Sequence, residues 1–264
     1  VDEATGKTIC SWYDAERKGQ LIDTQTSYAL PLAFHVVDGD LQKKMAAHLA
    51  AAIKTPMAGY PAYSLLTGFI GTAWISKALS DNGMSEEAYR LLQYEGYPSW
   101  LYPVKNGATT IWERLNSYTV KDGFGENNSM NSFNHYSFGA VASWMYNYSL
   151  GICRDEKSPG FKHFILKPEV DPTRGITHAE GYYDSMYGRI SSRWQYTDSG
   201  IRYEFTVPAN TTASLYLPAP AVSFISENGK PLKKASGVRY VSADKELHHL
   251  ELASGSYQFD IKQK

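Results

Sequence analysis

From residue 24 to residue 151 the apolar positions recur with a helical period. Leu30, Phe34 and Val37 are spaced i, i+4, i+7, with Pro31 expected to start or kink that helix. Asp38-Gly39-Asp40 breaks the pattern and supplies an N-cap for a second helix over residues 41–53, where Leu41, Met45, Leu49 and Ala52 form one stripe. Residues 69–79 read as a third, mostly apolar helix ended by Asp81-Asn82-Gly83. Ser85-Glu86-Glu87 caps and charges a fourth over residues 86–94. A fifth runs over residues 135–148 with Phe138, Val141, Met145 and Tyr148 on one face.

The period changes after Pro159 to Pro168. Residues 190–194, 201–207, 214–217, 238–242 and 257–261 are strand-like, the first two alternating apolar and polar residues. Asp198-Ser199-Gly200, Asn228-Gly229 and Ser254-Gly255 are turn signals between them. Many short strands at this spacing predict an antiparallel β-sandwich. The expected organisation is therefore residues 1–157 helical and residues 158–264 a β-sandwich domain. Short helix–helix turns alternating with long aromatic-rich connections fit part of an αα-barrel, and the pattern alone equally allows a complete small helical bundle.

Composition narrows the chemistry. The 264 residues carry a net charge of -1, so nothing calls for nucleic acid or an anionic membrane. No run of 18 apolar residues exists, and no membrane-spanning segment is expected. Two cysteines, Cys10 and Cys153, make neither a disulfide framework nor a zinc motif, and no cofactor or metal is expected. No nucleotide-binding glycine loop and no Gly-x-Ser-x-Gly elbow occurs. No segment reads as a signal peptide and the chain starts at Val1, so a mature product or a piece of something longer is expected. Twenty Tyr and six Trp suit carbohydrate contacts, although strands are also Tyr-rich.

The long connection over residues 96–134 is where chemistry concentrates. Connections beyond about 15 residues in a compact domain are usually functional or disordered, and four aromatics between Tyr97 and Trp112 argue for order. In Asn106-Gly107-Ala108-Thr109-Thr110-Ile111-Trp112-Glu113-Arg114 a lone carboxylate sits between an indole and a guanidinium. A sugar-cleaving site needs a carboxyl group that moves a proton and a ring that packs on the apolar face of a pyranose. Glu113 could equally form an ordinary ion pair, Trp112 and Trp100 could pack in the core, and His135 could merely follow the N-cap Asn134. Gly107 and Gly139 read as backbone-geometry positions, and Asp122, Glu126 and Asn127 as solvated loop residues.

With Tyr97-Pro98-Ser99-Trp100, the Trp-Glu-Arg loop, Asn134-His135-Tyr136-Ser137-Phe138-Gly139-Ala140-Val141, Tyr187 to Trp194 and Val207 to Ala213 in that order, the chain resembles the bacterial α-L-rhamnosidases of glycoside hydrolase family 78. The resemblance implies the second half of an (α/α)6 barrel, a six-hairpin toroid, followed by a C-terminal β-sandwich. It implies inverting hydrolysis of terminal α-L-rhamnose, with Glu113 as the catalytic base and Trp112, His135, Trp100 and Arg114 as substrate-binding residues. The implied partners are a rhamnose-containing glycoside or polysaccharide and an N-terminal portion of the same protein; a polysaccharide-degrading parent would be periplasmic or secreted. The family's general acid lies in a motif of the Asp-Cys-Pro-Gln-Arg type upstream of the base, and that motif is absent from these 264 residues. The chain by itself is therefore expected to be inactive. Another inverting (α/α)6 glycosidase is the nearest alternative within enzymes. A non-catalytic carbohydrate-binding module is the rival outside them, with Tyr182, Tyr183, Tyr187 and Trp194 as its candidate surface.

Overall fold

Thr24 starts the first helix through a capping box: its hydroxyl accepts the Ser27 N–H, and the Ser27 hydroxyl accepts the Thr24 N–H. The computed structural model describes residues 1–10, 15–56, 59–125, 129 and 131–262. They form two compact units, Val1–Ser143 and Trp144–Lys264.

The first unit is helical. Helix α1 (Gln25–Ala33) buries Tyr28, Ala29 and Leu32. That is not the Leu30–Phe34–Val37 face expected from spacing. The helix stops at Ala33 with Pro31 in its last turn, so Phe34 and Val37 fall outside the helical register and Phe34 is 54% exposed. Helix α2 (Gly39–Lys54) buries Met45, Ala46, Leu49 and Ile53. Asp38 takes its N-cap position without a side-chain bond to the helix. The expected third helix is two, α3 (Gly68–Thr72) and α4 (Ile75–Asp81). The Thr72 hydroxyl bonds the Gly68 carbonyl, and Trp74 N–H bonds back only three residues to Gly71, which tightens the chain and breaks the ladder. Helix α5 (Ser85–Gln93) carries Glu86 and Glu87 in its first turn, but Met84, not Ser85, is its N-cap residue. Within the long connection one short helix, α6 (Leu101–Lys105), forms. The expected last helix is irregular: a 3₁₀ turn (Ser137–Ala140), α7 (Val141–Trp144) and a π turn (Met145–Ser149).

The second unit is two sheets. The strands are β1 (Ile152–Arg154), β2 (His163–Leu166), β3 (His178–Ser185), β4 (Gly188–Thr197), β5 (Gly200–Val207), β6 (Thr212–Pro218), β7 (Ile225–Glu227), β8 (Lys230–Pro231), β9 (Val238–Asp244), β10 (Leu247–Leu252) and β11 (Gly255–Lys262). One sheet has the order β1-β2-β6-β10-β9 and the other β3-β4-β5-β11-β7-β8. All pairings are antiparallel except β2 with β6. Alternation along the strands buries one face of each sheet. Phe164, Leu215 and Leu250 are fully buried in the first, and Ile190, Trp194, Tyr203 and Phe259 in the second. Asn228 and Gly229, at φ 46° and 72°, make the two-residue turn between β7 and β8 that Asn-Gly favours. Cys10 and Cys153 are both free thiols.

The two units divide at Ser143/Trp144, ahead of the composition change at Pro159. The physical reason is β1, which precedes Pro159 yet pairs with β2 in register from Ile152↔Leu166 to Arg154↔Phe164.

Candidate active site around Glu113

Two stretches of the long connection run side by side and in opposite directions. Glu113 N–H donates to the Ser132 carbonyl at 2.8 Å, and His135 N–H donates to the Ile111 carbonyl at 2.8 Å. The Thr110 hydroxyl reaches the Phe133 carbonyl. Residues 19 to 24 positions apart in sequence are thereby fixed against one another without forming a regular sheet.

This pairing aims Glu113. Its Oε2 accepts the Ser132 N–H at 2.8 Å, and the residue is half-buried. No protein donor among the described residues binds its other oxygen, so one carboxylate oxygen is held and the other is open.

Trp112 is buried in the loop's own packing. It is 6% exposed and meets Phe133 edge-on, with ring centroids 5.2 Å apart. Phe124 packs edge-on against both Phe133 and Tyr118, which completes an aromatic block behind the loop. Trp100 is 8% exposed, and its indole N–H donates to the Phe138 carbonyl at 2.8 Å, tying the Tyr97–Trp100 stretch to the 3₁₀ turn.

His135 is more open. Its ring stacks on Phe69, centroids 4.6 Å apart at 23°, and Phe69 also meets Phe138 edge-on. Tyr136 lies nearly parallel to the imidazole at 5.6 Å. Nδ1 accepts the Ser137 N–H at 3.4 Å. Phe69 was not among the residues picked out from sequence, since no local pattern announces its ring contact with His135, 66 positions away.

The Arg114 backbone is fixed by Ser117, whose hydroxyl donates to the Arg114 carbonyl at 2.8 Å. Its guanidinium acts on Tyr97: burial pushes the Tyr97 phenol above its ordinary value, Tyr60 and Tyr102 add to that, and Arg114 opposes it. Asp122 sits in an exposed turn, its N–H held by the Thr119 hydroxyl at 2.9 Å. Glu126 and Asn127 lie outside the described residues. Among the described residues no three His, Cys, Asp or Glu side chains gather to hold a metal ion, and no helix is long and apolar enough to cross a membrane.

One surface expectation needs correcting. Trp194 is completely buried, and its indole N–H donates to the Ser149 carbonyl at 2.8 Å, so it is core and offers no face to a ligand. Its inward position follows from the β4 alternation that also buries Ile190 and Ser192. Tyr182, Tyr183 and Tyr187 do lie on the surface.

Residues 4–149 match the bacterial alpha-L-rhamnosidase 6 hairpin glycosidase domain, and residues 151–231 match the bacterial alpha-L-rhamnosidase C-terminal domain. The chain belongs to the bacterial α-L-rhamnosidase family. An α-L-rhamnosidase of Streptomyces avermitilis is 35% identical over 248 residues, covering 94% of this chain and 22% of that protein. One from Alteromonas sp. (strain LOR) is 34% identical over 241 residues, covering 90% of this chain and 24% of that protein. The crystal structure of the Streptomyces avermitilis α-L-rhamnosidase complexed with L-rhamnose superposes with a TM-score of 0.80 at 34% identity, over 92% of this chain and 22% of that one. The chain thus spans about a quarter of the length of the rhamnosidases it matches. The fold is that of the family: part of a six-hairpin glycosidase barrel followed by a β-sandwich domain.

Proposed function

We propose that this chain supplies the general base and part of the sugar-binding wall of a longer, inverting α-L-rhamnosidase acting on a rhamnose-containing glycoside or polysaccharide. One observation carries the proposal: the Glu113 carboxylate is anchored at one oxygen by the Ser132 N–H and open at the other. A general base needs that arrangement, a fixed carboxylate with a free lone pair for the proton of an attacking water.

The side chains around it take roles that follow from their exposure. His135, its Nδ1 taken by the Ser137 N–H and its ring stacked on Phe69, offers Nε2 to a sugar hydroxyl. Trp112 and Trp100 are covered over nearly all their surface, so they form the rigid wall that holds the loop and present only an edge to the sugar. Arg114 opposes the upward push that burial gives the Tyr97 phenol.

An inverting glycosidase needs a second carboxyl group, about 6.5–9.5 Å from the base, to protonate the leaving oxygen. The acidic motif that would supply it does not occur in these residues. Loss of general-acid catalysis alone costs about 10²–10⁴-fold. The purified 264-residue chain is therefore expected to release no measurable nitrophenol from an aryl α-L-rhamnoside. Turnover within tenfold of a full-length family member would overturn this reading and would require a second carboxylate within the chain, with Asp122 and Glu126 the first to replace.

A further inference from the structure

We propose that the outward face of the six-stranded sheet carries a binding trough for a neutral oligosaccharide, independent of the role given to Glu113. Strand register builds it. One outward row crosses four strands as Tyr182↔Ser191↔Thr206↔Ser256, and the next crosses as Glu180↔Arg193↔Glu204↔Gln258. The first row beyond Tyr182 is made of small hydroxyl residues, so it forms a floor; the second is long and polar, so it forms a wall. The resulting groove has a volume of about 560 Å³.

The length fits a short glycan. Four strands about 4.8 Å apart span roughly 14 Å, room for two or three pyranose rings in line. The floor is open to a ligand: the hydroxyls of Ser191, Thr206 and Ser256 reach solvent and bond no other protein group among the described residues. A run of open hydroxyls beside alternating donors and acceptors is what a polyhydroxyl ligand pairs with.

The wall is charged but balanced. Glu180 and Glu204 face Arg193, which donates from Nη1 to Glu204 Oε2 at 3.3 Å and from Nη2 to Gln195 Oε1 at 2.8 Å. Its Nε lies 3.6 Å from Glu180 Oε2 and makes no hydrogen bond. At the end of the trough Arg189 lies 3.7 Å over the Tyr182 ring and is paired to both Asp184 oxygens, at 2.8 and 3.1 Å. Two guanidiniums against three carboxylates, Glu180, Glu204 and the Asp184 paired to Arg189, leave no excess positive charge to select a phosphate or a uronate. They do leave carboxylate acceptors and guanidinium donors side by side, matching the vicinal hydroxyls of a neutral sugar. The Tyr182 face already covered by Arg189 is not a stacking platform, so recognition rests on hydrogen bonds and is expected to be weak for each sugar unit.

The test is affinity electrophoresis of the whole chain in native gels cast with a neutral galactan, a neutral arabinoxylan or a polygalacturonate. The chain should be slowed in at least one neutral gel and not in polygalacturonate. Ser191→Tyr, which fills the floor, and Arg193→Ala, which removes the wall's central donor, should each weaken the retardation at least tenfold with an unchanged melting temperature. No retardation in either neutral gel, retardation in polygalacturonate alone, or undiminished retardation of a folded Ser191→Tyr chain would each overturn the proposal. Should both variants unfold, hydrogen exchange of the unaltered chain with the retarding glycan decides: protection of β4, β5 and β11 is expected, and protection confined to residues 1–143 contradicts it.

Discussion

Gly151 shows how much a single residue can fix without announcing itself. It sits at φ +70°, and a Cβ there would lie 2.1 Å from Pro168 N and 2.2 Å from Lys167 C. Lys167 N–H in turn donates to the Gly151 carbonyl at 2.9 Å. Gly151→Ala must therefore shift backbone and not a flexible side chain, as well as bear a left-handed conformation. A loss of at least ~2 kcal/mol is expected in denaturant unfolding; a loss under ~0.5 kcal/mol would show that the strand-leading turn relaxes freely. In the sequence Gly151 reads only as the end of a helical stretch. Trp194 was more legible than its candidacy for a sugar surface implied, since it shares parity with Ile190 in β4 and so belongs inside. Glu113 was legible as a type of residue in a type of loop. Its geometry was not, because its partner Ser132 lies 19 residues away across irregular backbone with no periodic signal.

Elements were readable where period and length agreed. The long alternating strands β4, β5 and β11 and the helix α2 fall where the pattern puts them. Six strands were missed: β1, β2, β7 and β8 because two to four residues carry no period, β3 because His178–Ser185 is polar and mostly exposed, and β10 because His248 takes one of its inward positions. Helix α1 misled for a different reason: its stripe continued on paper past the end of the helix. The same limit bears on residues 155–162. Pro159 and Gly160 make this stretch read as a linker, yet β1 on one side pairs with β2 on the other. A protease site inserted after Lys157 should give a nicked chain whose pieces co-elute in native size exclusion and separate only in denaturant. Separation under native conditions would instead place a boundary between independent domains at 157/158.

For the whole molecule, fold class and family membership were both carried by separated motifs in order. The family match over residues 4–149 and 151–231 follows the same division into a helical and a β-rich part. What no pattern could carry is the separation of Glu113 from the second carboxyl group that the proposed mechanism requires, because that relation is a distance and not a spacing. The measurement that tests the account most directly is therefore the kinetics of Glu113→Gln in a full-length rhamnosidase containing this chain. Gln keeps size and polarity and cannot take a proton. The expected result is a fall in kcat of at least about 10²-fold with a much smaller change in KM and an unchanged melting temperature. Azide, which needs no deprotonation, should restore turnover and give the β-configured glycosyl azide from the α-substrate. Near-normal turnover by folded Glu113→Gln would contradict the assignment, and an equal loss in Glu126→Gln alone would move the base there.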